Sequence, residues 1–322
     1  MKRAIHALCA SLALCAPACK KQEDRAKPPA DPVGQGKVET TKSPERSKQD
    51  ADRFAAVTIK TTPVAGPVYM LEGAGGNIGA SAGEDGVLLI DDQFAPLAPR
   101  ILEAVRALGK GEPRYVVNTH WHGDHTGGNP ELGRKSAIVA HENVRKRLST
   151  PQARQGETVG PMDASGLPTL TFKDTVSLHM NGEEVRVVHF ATGHTDTDSI
   201  VFFTRSNVVH MGDHFFNGKF PFIDTESGGD PVQYTKNVKA VLDQIDESTR
   251  IIPGHGALGG KADLAAFHAM LVETMDVVQK AKKAGKSLAE AQKAGLPAKF
   301  ASWDGGYIKL DTWIKTLYDA KI

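Results

Sequence analysis

Seven side chains in this sequence could share one piece of chemistry. Four of them fall within six residues, in the segment Val117-Asn118-Thr119-His120-Trp121-His122-Gly123-Asp124-His125-Thr126-Gly127-Gly128-Asn129. His120 and His122 are two apart, so at the end of an extended strand both imidazoles project to one side. Asp124 and His125, in the turn that follows, reach a second position nearby. One short loop can therefore serve two metal ions. The remaining three are His194, Asp213 and His255, each directly after a glycine in Thr192-Gly193-His194, Met211-Gly212-Asp213 and Pro253-Gly254-His255. Glycine permits a tight turn that aims the next side chain into a cleft. Imidazole and carboxylate donors suit zinc, and also iron or manganese.

The elements that must position these groups follow from hydrophobic periodicity. Short β-rich runs at Ala56 to Thr61, Val68 to Leu71, Asn77 to Ala82 and Val87 to Ile90, separated by Gly-rich turns, predict an antiparallel meander. Leu97, Ile101, Leu102, Val105 and Leu108 mark one face of a helix over Pro96 to Leu108, and Tyr115-Val116-Val117 opens the strand that delivers the chain to His120. Asn129 and Pro130 read as the cap and first residue of a helix. A strand at Ala137 to Ala140 and a helix at Glu142 to Leu148 come next. Strands resume from about Thr169, through Val176 to Leu178, Val185 to Phe190, Ile200 to Phe203 and Val208 to Met211. A helix at Val232 to Ile245 and a strand at Arg250 to Ile252 complete a second, similar half. C-terminal helices are expected from about 262: Asp263 to Ala284, Leu288 to Lys293 and Tyr307 to Tyr318. His194, Asp213 and His255 each follow a predicted strand, which puts them at one shared edge.

With these residues in view, the chain resembles the metallo-β-lactamase superfamily from about Val57 to Gly256. The H-x-H-x-D-H signature is met in full, and the later His, Asp and His markers stand in order. The resemblance implies an α/β (α+β) fold, a four-layer αββα sandwich with the site along one sheet edge. It implies His120, His122 and His194 on a first metal and Asp124, His125 and His255 on a second, with Asp213 bridging. Two divalent ions, zinc first among them and iron or manganese as alternatives, would be held roughly 3.5 to 4 Å apart, share a water and turn it into a nucleophile for a carbonyl carbon. Asp124 would orient that nucleophile. A water-derived nucleophile needs no cysteine, and none lies beyond residue 19. Around the ligands, the resemblance makes Asp91 a hydrogen-bond partner of the metal loop, and Asn118 and Asp198 stand in similar supporting positions. Lys219, His214 and Trp121 are candidate substrate contacts, and Phe215, Phe216, Phe220 and Phe222 could add an apolar wall. His6, His141, His179, His189 and His268 take the default reading of a histidine without a metal, and His210 that of packing or support.

Asp213 bears on the substrate. The best-known lactamases that the sequence resembles carry cysteine or serine there, whereas lactonases and thioesterases carry the aspartate. The expected activity is that of an exported hydrolase of β-lactams or of lactones and other esters. A glyoxalase-II-like thioester hydrolase and a non-catalytic periplasmic zinc-binding protein are the alternatives.

Composition is consistent with a small-molecule enzyme. The formal charge of +1 gives no basic face for nucleic acid. Residues 1–19 read as a signal peptide, with Lys2 and Arg3 before an apolar run too short to anchor in a bilayer. All three cysteines, Cys9, Cys15 and Cys19, lie within it. Cys19 follows Ala16-Pro17-Ala18 as in a lipoprotein signal, although Ala16 stands where such signals carry leucine. Cleavage and lipidation alike predict a periplasmic domain, attached to a membrane only through lipid at Cys19. Residues 20–53 are too polar to bury a core and read as a disordered linker, which leaves 54–322 as the folded domain.

Overall fold

The computed structural model describes residues 52–154 and 157–321 of the chain. The expected leader, with Cys19, and nearly all of the expected linker lie outside the described residues. In chain order the first half supplies β1 (Lys60–Ala65), β2 (Val68–Glu72), β3 (Ile78–Gly83), β4 (Gly86–Ile90), α1 (Ala98–Ala107) and β5 (Pro113–Asn118). Two single turns, α2 (Gly123–Thr126) and α3 (Asn129–Leu132), lead to β6 (Ala137–His141), α4 (Glu142–Leu148), a small hairpin of β7 (Gln152–Arg154) and β8 (Glu157–Val159), and β9 (Leu170–Phe172). The second half runs through β10 (Thr175–Met180), β11 (Glu183–His189), β12 (Ser199–Phe203), β13 (Val208–His210), α5 (Pro231–Leu242), β14 (Arg250–Ile252) and β15 (Gly259–Gly260). It closes with α6 (Lys261–Lys283), α7 (Leu288–Ala294) and α8 (Leu310–Asp319).

Two large sheets result, ordered β1-β2-β3-β4-β5-β6-β9 and β10-β11-β12-β13-β14-β15. The meander is antiparallel, whereas β4, β5, β6 and β9 are parallel, as are β13 and β14. Between the sheets lie Met70, Leu88, Ile90, Val117 and Val139 from the first and Val185, Val187, Val201, Phe203 and Ile252 from the second. The outer face of the first sheet turns Leu71, Ile78, Leu89 and Val116 towards Ile101 and Val105 of α1. The outer face of the second packs Ile200, Phe202 and Ile251 on Tyr234, Phe267, Leu271, Trp313 and Leu317 from α5, α6 and α8. With both faces covered, the central strands read as continuous apolar runs. The layers are helix, sheet, sheet, helix, the expected αββα sandwich.

Four of the differences from the sequence reading have a local reason. Among the described residues, 52–54 are already helical, because Phe54 is buried against Phe94 and Arg100 donates to the carbonyls of Phe54, Ala55 and Val57. The first strand is Lys60–Ala65 rather than Ala56 to Thr61, since its register to β2 pairs Lys60 with Glu72 and Ala65 with Val68. Asn129 does not cap a helix. Gly128 holds that position, and the Asn129 side chain donates instead to Asn118 Oδ1 and the Gly166 carbonyl. The last helix starts at Leu310, not Tyr307, because Asp304 Oδ1 accepts the Leu310 N–H. In addition β9, the first strand of the expected second half, pairs with β6 in the first sheet.

Candidate metal centre

Parallel pairing sends the C-terminal ends of β4 and β5 to one rim of the first sheet and those of β13 and β14 to one rim of the second, where β11, antiparallel to β12, ends too. Each candidate ligand lies just beyond such an end. The two rims are stitched together: Ser199 N–H donates to the Thr119 carbonyl at 2.7 Å, Asn77 N–H to that of Gly254 at 2.7 Å, and Asn77 Nδ2 to those of Pro253 and Gly256 at 2.9 Å each.

The seven side chains converge in two groups. His120, His122, His194 and Asp213 form a buried group, and Asp124, His125 and His255 a partly open one. Within each, one donor atom per residue lies within 4.8 Å of the others. Asp213 faces both. Its Oδ2 is 3.6 Å from His194 Nε2 and 3.8 Å from His120 Nε2, while Oδ1 is 3.1 Å from His125 Nε2 and 3.4 Å from His255 Nε2. Asp124 Oδ2 lies 3.4 Å from His255 Nε2 and 3.8 Å from that of His125. The Nε2 atoms of His120, His125 and His194 and Oδ1 of Asp213 are buried, with no hydrogen bond of good geometry among the described residues. Buried polar atoms left in that state cost about 1–3 kcal/mol each. Several of them aimed at one point fit a cation that would satisfy them together, and imidazole and carboxylate are suitable donors.

Carboxylates stand behind three of the histidines. Asp91 Oδ2 is 2.7 Å from His125 Nδ1 and also accepts the Thr119 hydroxyl, and Asp91 Oδ1 accepts the Thr119 N–H, both at 2.7 Å. Asp224 Oδ2 is 2.8 Å from His122 Nε2. Asp198 accepts the N–H and hydroxyl of Thr195 and lies 3.4 Å from His194 Nδ1. A ring that gives the proton on one nitrogen to a carboxylate carries its lone pair on the other, so the contacts of Asp91 and Asp224 select the tautomers of His125 and His122, whereas His194 Nδ1 approaches Asp198 without a hydrogen bond of good geometry. Burial would lower the pKa of His125 and His194, but Asp213 and the carboxylates behind the rings raise both, so these carboxylates favour a positive charge at this point. Burial would raise the pKa of Asp213, but His125, His255, His120 and His194 hold it well below the usual carboxylate range. Burial and then His125 push His120 well below the usual histidine range, so it stays neutral. For Asp224, burial acts upward and the hydrogen bonds from His122 and Ser227 outweigh it, keeping the group ionised.

Backbone contact is as tight as the side-chain packing. A Cβ on Gly254 would sit 2.2 Å from Asp213 Oδ1 and 2.6 Å from the Gly212 carbonyl, so only glycine lets the His255 loop close on Asp213.

The structure brings Asp91 and Asp198 to the site as supports. Asn118 instead pairs with Asn129, bracing the metal loop from behind. Trp121 is 5 % exposed and packs with Ala140, Val144 and Leu148 beneath Arg147, away from an open cleft wall. His214 is buried too, stacked on Tyr234 and bonded to Asn237, and burial lowers its pKa to about 4. Lys219 lays its aliphatic stem along Gly306. Of the aromatics, Phe222 and Phe216 lie beside ligands: Phe222 is 5.8 Å from the His122 ring and 5.9 Å from that of His194, and Phe216 stacks at 4.9 Å on His255. Asp224 was not legible as a support, because locally it reads only as the cap it also is, accepting the Ser227 N–H. A G-x-S-x-G spacing at Gly79 to Gly83 carries no nucleophile. It lies within β3, where Ser81 is buried and accepts from Asn181.

Comparison with known proteins agrees with this geometry. The chain matches the family profile of the metallo-beta-lactamase superfamily over residues 64–255, more than half of its 322 residues. It is 23 % identical over 146 residues to the metallo-beta-lactamase type 2 of Bacteroides fragilis, covering 45 % of this chain and 53 % of that protein. It is 31 % identical over 144 residues to the hydroxyacylglutathione hydrolase of Nitrosococcus oceani, covering 44 % and 47 %. The chain thus spans about half the length of the curated relatives it matches. A solved metallo-beta-lactamase from Pontibacter korlensis superposes with a TM-score of 0.56 at 17 % identity, over 66 % of this chain and 99 % of that one, and so shares the fold.

Proposed function

The chain belongs to the metallo-beta-lactamase superfamily, a family of hydrolases, and we propose that it uses two divalent cations, zinc in the first place, to hydrolyse a carbonyl bond in a β-lactam or in a lactone or other ester. One observation carries this reading: the two oxygens of Asp213 face different histidine groups, an arrangement that lets one carboxylate serve two cations. Paired cations at such a site lower the pKa of a water towards neutrality and polarise a carbonyl oxygen.

The protein's own contribution is orientation. Asp91, Asp198 and Asp224 hold the imidazoles of His125, His194 and His122 from behind. Asp124 stands on the half-exposed side with His255 and is kept ionised because His125 and His255 outweigh the effect of its burial and of Asp213. It is the group to orient the attacking water. The water oxygen bonds to the carbonyl carbon, the bond to the leaving nitrogen or oxygen breaks, and the proton passes to that leaving atom.

The leader-like first nineteen residues support an exported, periplasmic protein, held at a membrane only through lipid on Cys19. A thioester hydrolase is the second reading, favoured by Asp213 together with the 31 % identity to a hydroxyacylglutathione hydrolase. The test is acid release by the zinc-loaded protein, followed titrimetrically, from a β-lactam, a lactone, a carboxylic ester and a glutathione thioester. Turnover of the first three above the thioester is expected. Preference for the thioester would favour the second reading, and tight zinc uptake with no acid release from any of them would mark a binding protein.

A further inference from the structure

Tyr307 is 78 % exposed, the most exposed large apolar side chain among the described residues. Its exposure does not come from a loose tail. Phe300 and Ile308, on either side of it in the chain, are buried, Trp303 stacks on Phe267, and the Trp303 carbonyl accepts the Phe220 N–H at 3.2 Å. Lys309 donates to the Asp304 carbonyl, and Asp304 accepts the Leu310 N–H. Between these anchors Gly305-Gly306-Tyr307 projects. Gly306 comes so close to the loop after the Asp213 turn that an added Cβ would meet the Lys219 stem at 3.1 Å. The Tyr307 ring is thereby held 6.5 Å from Phe222, edge to face, and Phe222 lies beside His122 and His194.

We propose that Tyr307 and Phe222 form an aromatic wall at the mouth of the metal centre that selects substrates whose acyl part carries a flat, apolar group. An isolated exposed aromatic needs no explanation. A ring clamped on both sides, aligned with a second ring that touches two candidate ligands, is the apolar part of a binding cleft whose polar part is the histidine cluster. Tyr307 lies beyond residues 64–255, so the C-terminal helical segment supplies part of the cleft. This inference rests on the hydrolytic reading in one respect: every carbonyl substrate considered above releases a carboxylic acid, so a carboxylate serves as a product probe whichever substrate is correct.

The experiment is equilibrium binding of 4-phenylbutyrate and butyrate to the zinc-loaded protein, by calorimetry, for the wild type, Tyr307→Ala and Tyr307→Phe. Matching melting temperatures will verify that both variants fold as wild type. Wild-type protein should prefer the aromatic acid. Tyr307→Ala should weaken 4-phenylbutyrate about two- to tenfold, the range for loss of one aromatic pair, and leave butyrate unchanged. Tyr307→Phe should behave as wild type. A wild type without preference, an unchanged preference in Tyr307→Ala, or a loss in Tyr307→Phe equal to that in Tyr307→Ala would overturn the proposal. Failure of the hydrolytic reading is seen separately, as no acid release by wild-type protein that has bound zinc.

Discussion

Replacing Asp91 by asparagine changes one atom and should cost the protein a cation. Asp91 is fully buried with φ 64°, a left-handed conformation that asparagine tolerates well, so the backbone is left as it is. Oδ1 of asparagine still accepts the Thr119 N–H, but an NH2 group now faces the Thr119 hydroxyl and His125 Nδ1, both 2.7 Å away. The hydroxyl can turn and accept. His125 can accept only by moving its proton to Nε2, the nitrogen that lies 3.1 Å from Asp213 Oδ1, and there the proton takes up the lone pair that a cation needs. Loss of such a support typically costs 10- to 100-fold in metal affinity, about 1.4–2.8 kcal/mol. Three hydrogen bonds also change from charge-assisted to neutral at about 1 kcal/mol each. About 3 kcal/mol of stability is therefore at stake, or roughly 6–12 °C in melting temperature for a domain of this size. Titration against a competing chelator should show one of two equivalents weakened in Asp91→Asn, with the melting temperature lowered in the metal-free form. If both equivalents bind as in wild type, Asp91 does not set the His125 tautomer and the reasoning fails.

Other outcomes follow from the same geometry. His122→Ala should abolish acid release and lower bound metal, whereas His268→Ala, on α6, should leave both within twofold of wild type. Equal effects of the two would discredit the site. Gly254→Ala should drive the His255 loop off Asp213 and reduce bound metal in a folded protein, and full occupancy measured by elemental analysis would contradict this. Burial, and then the stacked His189 ring at 3.6 Å, lower the His141 pKa from 6.5 to about 4. A histidine kept neutral by folding contributes stability that is complete above pH 6.5 and is lost as the pH falls from 6.5 to 4. His141→Asn keeps a cap for α4 and should flatten that part of the melting-temperature profile, while parallel profiles would refute the assignment.

The seven converging residues were readable in the sequence because their geometry is local. His120, His122, Asp124 and His125 share one strand end and one turn, so spacing alone encodes direction. The glycine before each of His194, Asp213 and His255 marks the same strand-to-loop setting three more times. Groups that act across the chain were not readable. Asp224 meets His122 over a separation of 102 residues and, seen locally, is just a cap. Asn129 looked like a cap and was drawn instead to Asn118, for which the sequence offers no signal. Trp121 and His214, beside ligands in sequence, turn into the core, because neighbours on a strand end or turn point to opposite sides. The three-residue β9, with Leu170 half exposed, is too short for its pattern to name the sheet it joins. The sequence pattern starts a helix at Tyr307, and the anchors that hold it at the cleft lie in other elements.

The central claim is that Asp213 is shared by two cations. A crystal structure of the zinc-loaded protein, with anomalous data on both sides of the zinc edge, tests it directly. The account predicts two zinc peaks roughly 3.5–4 Å apart, one bonded to His120, His122 and His194, the other to Asp124, His125 and His255, with one Asp213 oxygen on each. A single peak, or a pair that leaves Asp213 uncoordinated, would contradict it.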